Sequence, residues 1–119
     1  MARHPDQAIT QLGKTLQLDP DFAMTYFYLG MAYEGKQMYP EAIAAYRKAQ
    51  ELSPAGPGIV GLGHAYAMSG MNNEARTILN EVKQRAKKNE IRPPSVAIIY
   101  AGLSDADHAF EWMEKAYEQ

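Results

Sequence analysis

The sequence predicts an all-α fold in which pairs of antiparallel helices repeat along the chain. The pattern bulky-x-x-Leu-Gly-x-Ala-Tyr occupies residues 26–33 and again residues 59–66, an offset of 33. An alanine followed four residues later by a bulky side chain recurs at offsets of 33 or 34, at Ala8, Ala42, Ala75 and Ala109. A fixed period of this length is typical of stacked structural repeats, in which each unit buries its apolar face against its neighbours.

The composition of the 119-residue chain argues against several classes of protein. Apolar residues make up 46% and charged residues 22%, the proportions of a folded globular domain. The formal net charge of −2 is unlike the basic balance of a nucleic-acid binder. No apolar run is long enough to span a membrane, and cysteine is absent. We therefore expect no nucleic-acid or membrane partner, and a cytoplasmic location with a periplasmic or extracellular one as the alternative.

The first predicted element is a lone helix over residues 5–18, within a half repeat at residues 5–20. Ala8, Ile9, Leu12 and Leu16 follow one another at i, i+1, i+4 and i+8 and so share a face. Pro20 is placed where a proline ends a helix. Because the helix has no partner before it, part of this face is expected to be uncovered.

A complete repeat follows at residues 22–54, with helices predicted over 22–35 and 39–52. Its first helix carries one apolar face at i, i+3, i+4 and i+7, made of Tyr26, Leu29, Gly30 and Tyr33. Its second helix carries the same spacing in Ala42, Ala45, Tyr46 and Ala49. Pro40 lies in the first turn of that helix, where its missing N–H costs nothing, and Pro54 follows its end.

Two further repeats are predicted at residues 56–88 and 93–118. The helices of the former are expected over 56–69 and 72–88, and those of the latter over 95–103 and 106–118. Small residues are expected where the two helices of a repeat cross, because bulk at a crossing would separate them. The predicted crossing pairs are Gly30 with Ala42, Gly63 with Ala75, and Ala97 with Ala109.

The repeat resembles the tetratricopeptide repeat, a helix-turn-helix unit of 34 residues. The residues that carry the resemblance are Tyr26, Leu29, Gly30, Tyr33, Ala42, Tyr46, Ala49 and Pro54, with Tyr26 at the position where the family prefers tryptophan. The last repeat is looser, and it is similar to the C-terminal tetratricopeptide region of long bacterial multidomain regulators. The resemblance implies a solenoid of about seven antiparallel helices in a right-handed superhelix, and a role in binding other proteins.

The first helix of each repeat has a second face, which in tetratricopeptide proteins lines a concave groove. In the helix over 22–35 this face is an apolar stripe, and a helix that is apolar all round is usually covered by something. We expect an apolar peptide or helix to bind there, the alternative being that a preceding helix or neighbouring repeat buries the stripe. The predicted groove residues are Met24, Phe27, Tyr28, Met31, Glu34, Val60, His64, Ala67, Met68 and Ile98.

Catalytic and metal-binding residues are not predicted. No histidine lies in a convincing constellation with carboxylates, and the segment Asp105-Ala106-Asp107-His108 is interpreted as a helix cap. Several Lys and Arg residues lie near the end of the helix predicted over 72–88 and in the loop up to Arg92. We interpret them as cations that complement the dipole at a helix C-terminus. We therefore predict a non-catalytic interaction scaffold that uses no cofactor and no metal.

The two ends of the chain are predicted to associate with other copies. Exposed apolar strips usually mark interaction sites, and both terminal helices carry one. The residues concerned are Ile9, Leu12, Leu16, Phe110, Trp112, Met113 and Tyr117. We accordingly expect the chain to be part of a longer protein, and the alternative function is a self-association or intramolecular packing module of a larger bacterial regulatory protein.

Overall fold

The computed structural model of the chain describes residues 5–19 and 21–118. All regular secondary structure in that part of the chain is α-helical, which confirms the predicted fold class. The helices are α1 (Pro5–Leu18), α2 (Ala23–Gly35), α3 (Tyr39–Leu52), α4 (Gly58–Met68), α5 (Asn72–Lys87), α6 (Pro93–Gly102) and α7 (Ala106–Glu118). Their bounds agree with the predicted ones to within two residues. Pro20, the predicted end of the half repeat, lies outside the described residues.

The sixth helix begins earlier than predicted. The two prolines Pro93 and Pro94 were expected to precede the helix, whereas α6 starts at Pro93 and both lie in its first turn. A proline is accepted there because the first backbone N–H groups of a helix have no acceptor within it. Arg92 before it is extended, with φ −75° and ψ 143°, as the residue before a proline prefers.

The chain divides into two compact units, Met1–Gly61 and Leu62–Gln119. In unit 1, α2 packs against α1 and against α3. The largest buried side chains of unit 1 are Tyr46 and Ile59. In unit 2, α6 packs against α5 and α7, and the buried side chains include Val82, Val96, Ile99 and Trp112.

The turn within each repeat contains one residue with a positive φ. The three residues are Gln37 (60°), Gly70 (83°) and Ser104 (62°), and they are 33 and 34 positions apart. The residue after each donates its N–H to a tyrosine carbonyl in the preceding helix: Met38 to Tyr33, Met71 to Tyr66 and Asp105 to Tyr100, each at 2.9 Å. This is the Schellman arrangement that ends many helices, and it explains the sharp turn that recurs in each repeat.

Large side chains fill the space beside two glycines at the predicted helix crossings. The space beside Gly30 is filled by the ring of Tyr46, since an added Cβ there would lie 2.5 Å from Cε1 of that ring. The space beside Gly63 is filled by Ile78 and Ile99, at 2.9 and 2.8 Å from an added Cβ. The atoms nearest to both glycines thus belong to large side chains of other helices, and the pairing of each glycine with an alanine stays a prediction.

Candidate functional site

An apolar cleft lies between α1 and α2 in unit 1. It has a volume of about 520 Å³, and it is lined by Pro5, Ala8, Leu12, Tyr28, Met31, Ala32 and Gly35. Tyr28 and Met31 are 49% and 51% exposed, so the cleft opens to solvent. The structure thus brings Leu12, predicted for self-association, together with two residues predicted for the groove.

Helical spacing explains why these residues meet. The α1 residues are at i, i+3 and i+7, and the α2 residues are at i, i+3, i+4 and i+7, so each set forms one face of its helix. Asp6 and Lys36 form an ion pair between the start of α1 and the end of α2. Both groups are exposed enough for the pair to contribute little free energy, so apolar packing holds the two helices together.

Two predicted groove residues of α2, Phe27 and Glu34, contact the buried side chain of Tyr46. The Tyr46 hydroxyl donates a hydrogen bond to the Glu34 carboxylate at 2.7 Å, and the Phe27 ring lies 5.7 Å from the Tyr46 ring. Burial, followed by the hydrogen bond to Glu34 and its charge, raises the pKa of Tyr46 far above its usual range. Glu34 therefore has a structural role, because it accepts a hydrogen bond from the hydroxyl of a side chain that is 1% exposed.

The Tyr46 ring is held between two glycines. An added Cβ at Gly30 or at Gly61 would lie 2.5 or 2.4 Å from the Cε1 atom of that ring, which is closer than carbon atoms can approach. Gly30 belongs to α2 and Gly61 to the first turn of α4, which is the part of that helix that lies in unit 1. The ring thus requires a glycine at position 30 and at position 61.

Unit 2 presents a smaller set of exposed groove residues. Met68 and Ile98 are each 47% exposed, while His64 is half-buried next to Gly102. Ala67 is 7% exposed, with its Cβ 3.1 Å from where a Cβ at Gly102 would lie. The prediction of Ala67 as a groove contact is therefore wrong, because its methyl group packs against α6.

The remaining predicted groove residues, Met24 and Val60, are half-buried. They are less accessible than Tyr28 and Met31. The exposed part of the predicted surface therefore consists of Tyr28 and Met31 in unit 1, and Met68 and Ile98 in unit 2.

The residues predicted for self-association differ in exposure. Phe110 is 66% and Met113 45% exposed, and both line a cleft of about 390 Å³ at the α6–α7 turn. Trp112 is 7% exposed, and the Lys115 ammonium lies 4.2 Å from its ring centroid. Trp112 is thus a core residue of unit 2, contrary to the prediction.

The other residues predicted for self-association lie on α1 and α7. Ile9, Leu12 and Leu16 are half-buried on α1. The side chain of Tyr117 lies outside the described residues.

The titratable residues form caps and ion pairs. Asp105 accepts the backbone N–H of His108 at 3.2 Å and contacts its Nδ1 at 2.8 Å, and the His108 ring stacks on Tyr100. The hydrogen bond from the His108 backbone, followed by that from its ring, lowers the pKa of Asp105. These contacts confirm that this segment caps α7.

The basic helix α5 uses two of its cations within the fold. Arg85 pairs with Glu81 one turn earlier, and the Lys83 ammonium lies 5.7 Å from the centroid of the Tyr100 ring. Within residues 5–19 and 21–118 no three His, Asp or Glu side chains are grouped as metal ligands would be. None of the described helices is both long and apolar enough to cross a membrane.

Comparisons with known proteins agree with the helical repeat. Residues 2–57 match the family model described as tetratricopeptide repeat. Over 90 residues, 72% of its length, the chain is 33% identical to the bifunctional subunit of the formate-dependent nitrite reductase complex of Haemophilus influenzae. Over 117 residues, 98% of its length, it is 23% identical to anaphase-promoting complex subunit 3 of Schizosaccharomyces pombe. The matches span 23% and 18% of those two proteins.

Proposed function

Because the chain is a tetratricopeptide repeat protein, we propose that it is a non-catalytic interaction module that binds an apolar peptide or helix of another protein. In each unit, the proposed contacts are exposed apolar side chains on the first helix of a repeat. The observation that carries the proposal is that Tyr28, Met31, Met68 and Ile98 are all between 47% and 51% exposed. Exposed apolar side chains that share a helix type in successive repeats support the proposal of a contact surface.

The repeat register supports this assignment. Met31, His64 and Ile98 occupy the same position in successive repeats, at offsets of 33 and 34. Met31 and Ile98 are both about half exposed, although they lie in different units. This position is therefore apolar and accessible in two of the three repeats, whereas the intervening His64 is half-buried.

The chemistry of the exposed residues favours an adaptable apolar contact. Covering a Met or Ile side chain contributes about 1.5 to 3 kcal/mol when burial is complete, and about half of each is still exposed. Methionine also adjusts its shape to the partner, and tyrosine is among the residues that dominate interface energetics. The two relatives are named as subunits of complexes, which agrees with a role in assembly.

A peptide-display selection on the immobilised chain would test the proposal. Peptides that bind should be titrated against the wild type, Met31→Lys, Ile98→Lys and the control Gln84→Lys, which adds the same charge at an exposed position of α5. We expect the first two substitutions to weaken binding about tenfold or more, since a charge would be buried, while the control binds as the wild type does. Equal binding by all four proteins would refute the proposal.

Self-association is the second candidate, and the exposure of Phe110 favours it. An aromatic side chain that is 66% exposed beside an apolar cleft is a plausible contact for a second copy. Sedimentation of the wild type beside Phe110→Ser and Leu12→Glu would test this. Trp112 is unsuitable for the experiment, because its replacement would damage the core. A single monomeric species for all three proteins at high concentration would eliminate this candidate.

A further inference from the structure

The methionines of this chain lie at its surface. Methionine is normally among the side chains that are most often fully buried in folded proteins. The sequence has seven methionines, and none of those within residues 5–19 and 21–118 is buried. The buried hydrophobic side chains in that part of the chain are those of alanine, valine, leucine, isoleucine, tyrosine and tryptophan. A chemical change at a methionine therefore alters the surface of the protein, while the core keeps its packing.

The methionines differ in how accessible they are to a dissolved reagent. Met24 and Met38 are half-buried. The exposed ones are Met31 (51%), Met68 (47%), Met113 (45%) and Met71 (38%). Oxidation of a methionine requires that the oxidant reach its sulfur atom, so the exposed group should react first.

Two of the exposed methionines belong to the proposed contact surface. Met31 lines the open cleft of unit 1 beside Tyr28, and Met68 is the last residue of α4 in unit 2. They are half of the four side chains to which we assign the contact with a partner. The sequence has no cysteine, so no thiolate of this chain competes with the thioethers for an oxidant.

We propose that Met31 and Met68 are oxidation sites, at which a peroxide converts the thioether to a sulfoxide and thereby weakens the binding of an apolar partner while the fold stays intact. The inference rests on the proposed function and adds a regulation of the same surface.

The reaction needs only the methionine and a peroxide, for which hydrogen peroxide is the simplest example. The sulfur lone pair attacks one peroxide oxygen, so that an S–O bond forms as the O–O bond breaks. The other oxygen leaves with the proton of the transferred hydroxyl, as water. Sulfur is oxidised by two electrons, and the peroxide is reduced by the same two.

A sulfoxide at either position opposes binding for a physical reason. The thioether is apolar and polarisable, whereas the sulfoxide oxygen is a hydrogen-bond acceptor that is hydrated in the free protein. An apolar partner that covers this oxygen removes its water and offers no donor in return. In the free protein the oxygen stays in solvent, because both side chains are about half exposed. Oxidation should therefore weaken binding without unfolding the chain.

The first measurement maps the oxidation sites. The intact 119-residue chain is treated with hydrogen peroxide, and tandem mass spectrometry follows the sulfoxide at each methionine over time. We expect Met31 and Met68 to react several-fold faster than Met24 and Met38 in the folded chain, and all four to react at similar rates in urea. Equal rates for the four in the folded chain would overturn the proposal.

The second measurement links the sites to binding, and it uses a peptide selected by display. A partly oxidised sample, freed of peroxide, is passed over the immobilised peptide, and the bound and unbound fractions are mapped. Sulfoxide at Met31 and at Met68 should be depleted from the bound fraction, by about tenfold or more if burial is complete. Met71 and Met113 are exposed methionines outside the proposed surface, and their sulfoxides should be equal in both fractions. Equal distribution of the sulfoxides at Met31 and Met68 would overturn the proposal.

A variant and a structural check complete the test. The double variant Met31→Leu with Met68→Leu has no sulfur at either site, so the ratio of its affinities before and after peroxide should stay near one, whereas that of the wild type changes. A change of the same size in both proteins would contradict the assignment of the sites. If the double variant does not bind before treatment, the partition between fractions decides alone. Circular dichroism of the oxidised wild type should match that of the untreated chain, and a loss of helicity would show that oxidation acts by unfolding.

The outcome can be separated from that of the proposed function. If peptides bind the untreated chain in an Ile98-dependent manner and the fully oxidised chain binds them equally well, this inference fails while the proposed function stands. If no selected peptide binds the untreated chain, the proposed function fails, and the regulation of its surface falls with it.

Discussion

α1 and α3 carry the same sequence pattern 34 residues apart, yet the two helices differ in how far their apolar faces are buried. None of the 14 residues of α1 is buried, whereas α3 buries Ala42, Ala45, Tyr46 and Ala49. α3 contacts α2 and the first turn of α4, while among the described helices of unit 1 α1 packs against α2 only. The comparison teaches that the pattern specifies an amphipathic helix, and that its neighbours decide whether the apolar face becomes core.

The largest expected effect comes from the same substitution at the equivalent alanines of the two helices. Ala42→Leu inserts bulk where the side chain is 0% exposed, and overpacking should lower the free energy of unfolding by about 1 to 3 kcal/mol or more. Ala8→Leu adds bulk at an exposed position beside an open cleft, and should change the free energy of unfolding by no more than about 0.5 kcal/mol. Urea denaturation monitored by circular dichroism measures both. Similar losses for the two variants would show that α1 is as tightly packed as α3.

Glycine-to-alanine substitutions should have opposite signs in the two environments. At Gly30 a Cβ would overlap with the Tyr46 ring, so an overpacking cost of about 1 to 3 kcal/mol outweighs the helix-propensity gain of about 1 kcal/mol. At Gly13 of α1 an added Cβ meets nothing within 4 Å, and Gly13→Ala should stabilise the chain by about 0.5 to 1 kcal/mol. Thermal unfolding midpoints of the two variants give the sign directly. A gain at Gly30 would contradict the placement of the ring.

Removing the Tyr46 hydroxyl should have a smaller effect. Tyr46→Phe keeps the ring but loses the hydrogen bond to Glu34, at a cost of about 0.5 to 1.5 kcal/mol. The control Tyr28→Phe removes a hydroxyl from a side chain that is 49% exposed, and should change stability little. Urea titrations of both variants at neutral pH would compare them. An equal loss for both would show that the buried hydrogen bond adds nothing.

The same hydrogen bond predicts a dependence on alkaline pH. The folded state raises the pKa of Tyr46 above its usual 10.0. The contribution of the Tyr46 hydroxyl to the free energy of unfolding is therefore complete below pH 10 and is lost as the pH rises further. The difference in free energy of unfolding between the wild type and Tyr46→Phe should therefore shrink above about pH 10. A difference that stays constant from pH 8 to pH 11 would contradict the raised pKa.

The smallest effect concerns the turn that holds α2 against α3. Gln37 has a φ of 60°, where glycine is favoured, and the equivalent residue of the next repeat is Gly70. Gln37→Gly should stabilise the chain by about 0.5 to 1 kcal/mol, whereas Lys36→Gly, at a φ of −93°, should not. Thermal unfolding of both variants would measure this. Stabilisation by Lys36→Gly alone would show that the left-handed residue carries no strain.

The periodicity of the sequence predicted every described helix, because apolar spacing and proline positions are local signals. It did not predict the partners of side chains. Trp112 was assigned to an exposed end, although it shares its repeat position with Ala45, which is 8% exposed, and with the half-buried Ile78. That equivalence was a usable signal for its burial. The hydrogen bond between Tyr46 and Glu34 had no such signal, since the two residues are 12 positions apart and on different helices.

The sequence by itself determined that this protein is a chain of helix pairs with the tetratricopeptide spacing, since backbone hydrogen bonding and apolar periodicity act within a few residues. Only the tertiary structure decided which equivalent faces are core and which are open. Ala8 and Ala42 have the same side chain in the same pattern, but one is exposed and the other is fully buried. Burial depends on what lies on the far side of a helix, and no local interaction encodes that.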